Sequence, residues 1–543
     1  MPAVAEAIVK RAEGLKSGVE RKQFEDHAQQ IAELVMPRKD AFYNENTPGE
    51  KKMQRVYDPT GIHSNEMLAA GLHGMATNPA TRWFGIRLLD EELMERDDVK
   101  EWLSSIERIM FREMHAPGPK LTTHLHELYL DLGAFGTGVM FIGKSANDQL
   151  LFQTRHLGEC FIDENAEGRV DTVYRCFEMN VRQLWQMSED KDWSLSSKTA
   201  KMAEKQEWNQ KVKVIHAVYP RAEREKGKET ADNMPYASIY LEEAEQHILL
   251  ESGFEEFPYA VPRWYKQAGE RYGRSPGMTA LPDVKMLQEM MKTTLKAAQK
   301  IVDPPLQVPD DGVVGPVRTI PGGLNFLRPG SEIRPLITGG QIGLSEEMME
   351  QVRNRIRTTF FVDIVQVAPP DVNITATEFM QRTQDRMRLL GPIIGRMEAE
   401  LLGPMINRNF GVLSRIEGKL PEAPDGVEDQ EFTVEYVSPI ASAQRAAEVD
   451  GFMQYMQEMA LIAQANPQEA SNISARIEWT KIPEWVADRR RIDPELILSD
   501  EEVEAKQQQN AMQNAVSAAP DLAKATKDFA DAGKSVAEAQ AIQ

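Results

Sequence analysis

The chain has 543 residues, 41% of them hydrophobic and 27% charged, with 35 glycines, 31 prolines and two cysteines. It is long enough for about two to four domains and apolar enough to bury real cores, which excludes a single small module and a disordered chain. The 63 Lys+Arg against 84 Asp+Glu leave a formal charge of −21, the wrong sign for a surface that grips nucleic acid everywhere by neutralising phosphates. Cys160 and Cys176 both sit in β-like runs (Cys160-Phe-Ile and Tyr174-Arg-Cys-Phe) and read as core thiols of a reducing compartment. No apolar run approaches the roughly 18 residues of a membrane span, and residues 1–10 show no signal-peptide core, so synthesis in the cytosol is expected.

In chain order, the first strong helical pattern runs from Ser17 to Met36. Ser17 and Glu20 have capping-box spacing, Phe24, Ala28, Ile31 and Val35 recur at helical intervals, and Pro37 closes it. After a polar loop, 38–52, a second helix over 62–76 places Leu68, Leu72 and Met75 on one face. Its small residues, Ala69, Ala70, Gly71 and Gly74, allow close approach to a neighbour. A strand over 83–89 and helices over 97–115 and 121–132 follow.

From Val139 to Tyr265 the texture is β, with runs at 139–142, 150–154, 170–177, 212–219, 237–241 and 248–251. A helical insert lies near 181–207, and the charged stretch 220–235 reads as a long hairpin tip. Hairpin spacings outnumber crossover spacings, which predicts an antiparallel sheet in an α+β first half.

An amphipathic helix over 281–302 comes next, about 33 Å long at 1.5 Å per residue. Val284, Leu287, Met291, Leu295, Ala298 and Val302 form an apolar stripe. Lys285, Lys292, Lys296 and Lys300 form a second stripe about 135° away. Asp303-Pro-Pro stops this helix. A Pro/Gly-rich stretch with short β segments (304–343), a helix (344–361) and a short loop (362–374) lead to a capping box at Thr375-Ala-Thr-Glu378. That box opens a long helical stretch to about Leu413, which Pro392 and Pro404 must kink or break. Ser438-Pro439 starts a Met-rich helix to about Gln464, and beyond Asp500 the chain is Gln/Ala-rich. The 27 methionines, as at Met290-Met291, Met348-Met349 and 453–459, read either as adaptable core packing or as helix faces between subunits.

Catalytic and nucleotide-binding patterns are missing. There is no G-x-x-x-x-G-K-[ST], no G-x-S-x-G and no H-E-x-x-H. Gly133-Ala-Phe-Gly-Thr-Gly138 follows a helix and precedes a strand, the reverse of a dinucleotide fingerprint, and reads as a tight turn. His124 and His126 would point to different sides of a helix, and His63 and His73 do not pair, so no metal site is expected. Asp97-Asp98 and Asp310-Asp311 read as a helix start and a turn, and Arg489-Arg490-Arg491 as a solvated helix end.

Three stretches carry a family likeness: Asp58-Pro-Thr-Gly-Ile-His63 through Leu68-Ala-Ala-Gly-Leu-His-Gly-Met75 to Thr77-Asn-Pro-Ala-Thr-Arg-Trp-Phe84; Asn373-Ile-Thr-Ala-Thr-Glu-Phe379; and Leu132-Gly-Ala-Phe-Gly-Thr-Gly138. With the order of elements over about 17–505, the chain resembles the portal proteins, or head-to-tail connectors, of short-tailed double-stranded DNA phages. The resemblance implies an α+β portal-type subunit. Its parts would be an α/β wing (1–280), stem helices (281–303 and 344–361), a small β-containing clip (304–343), a tunnel loop (362–375), a long kinked helix returning to the wing (376–437), a helical crown (438–500) and a tail (501–543).

It also implies a homo-oligomeric ring of about twelve subunits at one capsid vertex, closed by rotation. Double-stranded DNA would pass through its channel during packaging and ejection. Terminase, then adaptor and tail proteins, would dock on it; scaffolding and capsid proteins would surround it as it nucleates the procapsid. Such a protein is made in the host cytoplasm and resides in the virion. It is no enzyme and needs no cofactor, metal or membrane; any ATP hydrolysis belongs to a partner.

On that basis Lys285, Lys292, Lys296 and Lys300 are expected to face the channel, giving weak positive rings in an acidic tube. Periodicity alone reads the same stripe equally well as a solvated outer face. Asp363, Gln366, Pro369, Pro370, Asp371 and Asn373 of the tunnel loop are expected to contact or gate DNA. The alternatives are another ring-forming virion protein, such as an adaptor or tail hub, and a nucleic-acid enzyme with an unrecognised site.

Overall fold

The computed structural model of the chain describes residues 2–43, 49–191, 193–225, 230–336, 342–365, 390–427, 432–436, 439–465, 477, 479 and 482–490. These fall into two compact units, one from Met1–Trp83 with Met110–Leu420, the other from Phe84–Ile109 with Pro421–Gln543.

The β-rich stretch of the first unit forms the antiparallel meander its hairpin spacings predict. β4 (Cys160–Glu164), β5 (Val170–Asn180), β6 (Lys211–Pro220), β7 (Tyr236–Glu242) and β8 (His247–Phe254) lie side by side in that order. Alternation along each strand sends residues to two faces, and both are covered. On one, Phe161, Tyr174, Ile215, Ala217, Ile239 and Leu241 pack against Ile8, Val9 and Ala12 of helix α1 (Pro2–Ser17). On the other, Val214 and Leu249 meet Leu184 and Trp193, beside helices α7 (Val181–Lys191) and α8 (Ser197–Glu204).

His216 is buried in this sheet, hydrogen-bonded to Ser238 Oγ and Tyr259 Oη at 3.1 Å each and stacked on Tyr240. Burial, with Arg175 and Arg155 nearby, pushes its imidazole well below its ordinary value. Cys160 and Cys176 are both free thiols on neighbouring strands, and burial raises them to about 12 and about 11. A smaller sheet, in the order β3 (Leu150–Arg155), β2 (Val139–Lys144), β9 (Tyr259–Ala260), stands beside the helices.

Further helices of this unit are α2 (Val19–Val35), α3 (Thr60–Ala76), α6 (Leu121–Phe135), α9 (Pro276–Val302), α10 (Ile342–Thr359), α11 (Val362–Val365) and α12 (390–414). α3 and α6 pack closely; a Cβ on Gly133 would overlap Asn65 Oδ1. α6 ends at Gly136, whose φ of +75° favours glycine and whose added Cβ would meet the Gly273 carbonyl. The glycine-rich stretch is therefore the helix-to-strand turn its order suggests.

Four local expectations change. A helix precedes Ser17: α1 ends there, Gly18 caps α2 without a side-chain bond, and Glu20 accepts the Arg271 N–H at 2.7 Å instead of closing a capping box. α9 starts at Pro276, not at Leu281, because Ser275 Oγ accepts the Met278 N–H and Pro276 fills the first turn; Pro282 is tolerated within it. The segment expected as a loop from 362 begins with a helical turn, α11. Pro404 does not end α12: it has no N–H to give the carbonyl four residues back, so the turn Glu398–Leu402 widens to π spacing. There Gly403 N–H donates to the Glu398 carbonyl, and the helix runs on to Ser414.

The π turn also carries Glu400, which receives Arg263 N–H at 2.9 Å and its guanidinium at 2.6 and 3.1 Å. Arg263 is fully buried and bonds Glu164 and the Gly168 and Arg271 carbonyls as well. Residues 375–389, with the expected capping box, lie outside the described residues.

In the second unit β1 (Phe84–Leu88) pairs antiparallel with β12 (Phe432–Tyr436). Glu107, from α5 (Asp97–His115), accepts the Ile86 N–H at 2.7 Å, and Trp102 Nε1 donates to the Pro421 carbonyl at 3.2 Å. Asp90 caps the short α4 (Glu91–Glu95). The Met-rich helix is α13 (Pro439–Ala465); Phe452 meets Trp485 of α14 (Ile482–Arg490), and Arg489 pairs with Glu448 at 3.1 Å. Ser438 and the tail beyond Asp500 lie outside the described residues.

Candidate functional site: a helix pair and the hairpin it carries

α9 has two different halves. Over its inner half the apolar stripe is buried, through Ala280, Leu281, Val284, Leu287 and finally Gln288. Over the outer half the same stripe emerges: Met291 and Ala298 are half-buried, Leu295 and Ile301 are exposed, and Val302 is 86% exposed. α10 returns antiparallel, burying Met349, Val352, Ile356 and Phe360 at helical spacing, while Met348 points outward. The two helices are joined by Thr294 Oγ1 to Ser345 Oγ at 2.9 Å and by Arg355 to Asp283 at 3.1 Å.

Between the helices, residues 304–336 form a hairpin that makes its own hydrogen bonds. β10 (Leu306–Gln307) pairs with β11 (Arg334–Pro335); Val314 N–H donates to Phe326 O, Arg328 N–H to Gly312 O, and Asn325 closes the tip against Arg318. The backbone is thus satisfied locally but the side chains are not buried. Ile320, Leu324 and Phe326 are 67%, 75% and 68% exposed, with Val314 beside them. Large apolar groups exposed side by side are uncommon on a finished surface and make this hairpin a candidate interaction site.

At the root of the pair a short turn, residues 57–60, is held by both helices. From α9, Gln288 Oε1 accepts the N–H groups of Tyr57 (2.7 Å) and Asp58 (3.0 Å), and its Nε2 donates to the Asp58 carbonyl (2.7 Å). From α10, Arg353 places Nε and a terminal nitrogen on Asp58 Oδ2, each at 2.9 Å. Oδ1 takes the Thr60 N–H and hydroxyl at the start of α3. Burial alone would raise the Asp58 carboxyl; the Thr60 and Arg353 bonds outweigh it and hold the group below the usual carboxylate range. Asp58-Pro-Thr belongs to the family-likeness motif, and its sequence alone names no task for it. The local signal was an aspartate two residues before a helix start, and its two long-range partners had none.

The expected lysine stripe does not stay together. Lys285, on the inner half, donates to Gln30 of α2 at 2.5 Å and so lies against the body of the unit. Lys292 is 3.3 Å from Glu289. Lys296 and Lys300 are exposed on the outer half, and among the described residues no ion pair engages them. Of the tunnel-loop residues, Asp363 lies in α11 and accepts the Thr358 hydroxyl at 3.3 Å. Gln366, Pro369, Pro370, Asp371 and Asn373 lie outside the described residues. The corner before α11 is strained: Phe361 holds a left-handed φ of +56°, with its ring 6.1 Å from that of the buried Trp264.

Histidines do not gather into a site. His124 faces Glu127 at 3.6 Å and His63 faces Glu66 at 3.6 Å. Among the described residues no cluster of His, Cys, Asp and Glu could hold a metal ion, and no helix is long and apolar enough to cross a membrane.

The chain matches the family described as bacteriophage head to tail connecting protein over residues 5–498. It is 31% identical over 516 residues to the probable portal protein of Bordetella phage BPP-1, covering 92% of this chain and 91% of that one. It is 28% identical over 520 residues to the portal protein of Salmonella phage epsilon15, covering 94% and 91%. Among solved structures, a chain from the neck of an empty GTA particle has a TM-score of 0.37 at 10% identity, covering 74% of this chain and 90% of that one. Members of this family are structural virion components, which removes the reading as a nucleic-acid enzyme. The chain belongs to the bacteriophage head-to-tail connecting proteins, the portal proteins of tailed phages.

Proposed function

We propose that this chain closes into a ring of about twelve copies at one capsid vertex, with the helix pair arranged around a channel for double-stranded DNA. The observation that carries the reading is the outer half of α9 with its hairpin. Leu295, Ile301 and Val302 at the outer end of α9 and Ile320, Leu324 and Phe326 in the hairpin are left exposed. In a ring each subunit offers two different patches to its neighbours, so faces that look unfinished on one chain are completed by the next. In this arrangement 281–303 and 344–361 are the stem and 304–343 the clip. The clip would dock the packaging terminase and later adaptor and tail proteins, and scaffolding and capsid proteins would surround the ring. The chain would be made in the host cytoplasm before it joins the virion.

Lys292, Lys296 and Lys300 then give shallow positive rings in a channel built from chains of net charge −21, so that DNA is guided weakly and slides. Lys285, bonded to Gln30, contributes to the root of the stem. Residues 362–375, with Asp363, Gln366, Pro369, Pro370, Asp371 and Asn373, would meet the DNA as the tunnel loop.

Negative-stain electron microscopy with mass measurement on the purified protein tests the ring. Particles with a central hole and about twelve times the 61.3 kDa chain mass support it; a chain that stays monomeric even with scaffold present overturns it. Replacing Lys292, Lys296 and Lys300 by Glu should leave assembly intact and impair DNA packaging or retention, whereas unchanged packaging removes the channel assignment. Deleting 366–371 with no loss of packaging or retention would remove the tunnel-loop role.

A further inference from the structure

The turn 57–60 is placed where the helix pair leaves the body of its unit. Gln288 is the last buried residue of α9, and beyond it the two helices hold each other through contacts such as Thr294 to Ser345. At this level one turn bonds three elements at once: α9 through Gln288, α10 through Arg353 and α3 through the Thr60 cap. The chemistry is specific. The Gln288 amide reads two backbone N–H groups with its oxygen and one carbonyl with its nitrogen, using both ends of the carboxamide at once. The Asp58 carboxylate, 3% exposed, divides its oxygens, Oδ1 to α3 and Oδ2 to α10.

We infer that Asp58, Gln288 and Arg353 are positioning residues that form the fixed pivot of the helix pair, setting the direction in which the outer half of α9 and the 304–336 hairpin are presented. Backbone bonds define direction where apolar packing does not, since a packed Leu or Val permits small rotations that a three-point hydrogen-bonded grip forbids. The Phe361 corner, with its ring beside the buried Trp264, follows the C-terminal end of α10, so this helix is held both at Arg353 and at the end nearest the body. The consequence for docking rests on the portal reading; the pivot itself does not.

The test uses the full chain with spin labels at Lys22→Cys on α2 and Lys300→Cys at the outer end of α9, the labelled chain diluted into unlabelled chain. Cys160 is buried and Cys176, half-buried, is replaced by Ser in every labelled chain, so the new exposed cysteines take the label. The native protein should give one narrow distance distribution. Asp58→Asn and Gln288→Leu should each broaden it by about twofold and speed amide exchange at 57–60 and 289–300 by about tenfold, leaving β5, β6 and β7 unchanged. A uniform acceleration that includes the sheet would mean a merely structural contribution and overturn the pivot; so would an unchanged distribution in both variants. Gln288→Leu retains the Asp58–Arg353 pair and decides the matter if Asp58→Asn does not fold. Neither readout requires a ring or DNA: a chain with a sound pivot that does not assemble speaks against the proposed function alone.

Discussion

The five-stranded sheet and the outer half of the helix pair have the same kind of apolar residue and opposite fates for it. In the sheet, Ile215, Ala217, Ile239 and Leu241 are covered by α1, and Val214 and Leu249 by the insert that carries Leu184 and Trp193. In the helix pair, Leu295, Ile301 and Val302 follow directly on the buried Val284 and Leu287 along one stripe, yet among the described residues they are left exposed. The difference separates apolar surface that the described residues cover from apolar surface they leave open; in the ring proposed above, a neighbouring subunit would cover the second kind.

That contrast can be broken most forcefully at Arg263. Arg263→Met would leave Glu400 and Glu164 without their shared guanidinium, and a broken buried pair of this kind costs about 3–5 kcal/mol, measurable as a fall in the urea midpoint. A smaller response would mean that the π turn of α12 does not depend on this anchor.

Next in size is a direct comparison of the two regions. Leu241→Ala in the sheet should cost about 3 kcal/mol of unfolding free energy. Leu324→Ser with Phe326→Ser in the hairpin should change the monomer's stability by no more than about 0.5 kcal/mol while weakening assembly or docking. If the hairpin pair destabilised the isolated chain as much as the core variant, the hairpin would belong to the self-sufficient body.

The sheet also sets a pH dependence. Burial holds the His216 imidazole neutral well below its ordinary value, so below about pH 6.5 the unfolded chain binds a proton that the folded chain does not, and stability falls as pH falls. His27, His73, His115, His124 and His156 are lowered in the same direction, again chiefly by burial, and add to the slope. His216→Asn should therefore flatten the profile of unfolding free energy between about pH 7 and 5 without abolishing it. An unchanged slope would show that His216 is reached by protons in the folded state. The smallest effect is chemical. The buried Cys160 should stay unmodified by a thiol reagent at pH 8 in the folded protein and react in denaturant; its modification in the native chain would show that the sheet opens.

Legibility followed the range of the interaction. The meander was readable because side-chain alternation and hairpin spacing are local, and β5 to β8 lie where they were expected. α5 matches its expected span, 97–115, because its acidic first turn and apolar periodicity are both local. The strand pairing of 84–88 with 432–436 was not readable, since nothing in either stretch names a partner over 300 residues away. Similarly Ser17 and Glu20 had the right spacing for a capping box, but Glu20 found the Arg271 N–H instead, a competitor visible only in three dimensions. At the candidate site, the stem lysines were found as a stripe because 285, 292, 296 and 300 recur on one helical face. Only packing separated Lys285, bonded to Gln30, from the exposed Lys296 and Lys300.

The amino-acid sequence by itself determined the α+β class, the connector family through its motifs and order of elements, and a helix–hairpin–helix layout expected over 281–361. The class and the layout follow from periodicity and from Pro and Gly punctuation, which act over a few residues; the family follows from the resemblance of the quoted motifs. The tertiary structure alone decided which half of α9 is covered, that Pro404 is absorbed by a π turn, and that Asp58, Gln288 and Arg353 meet. A hydrogen bond between residues 230 or 295 positions apart exists only after the chain has brought them within about 3 Å, and no local preference of either residue encodes that encounter.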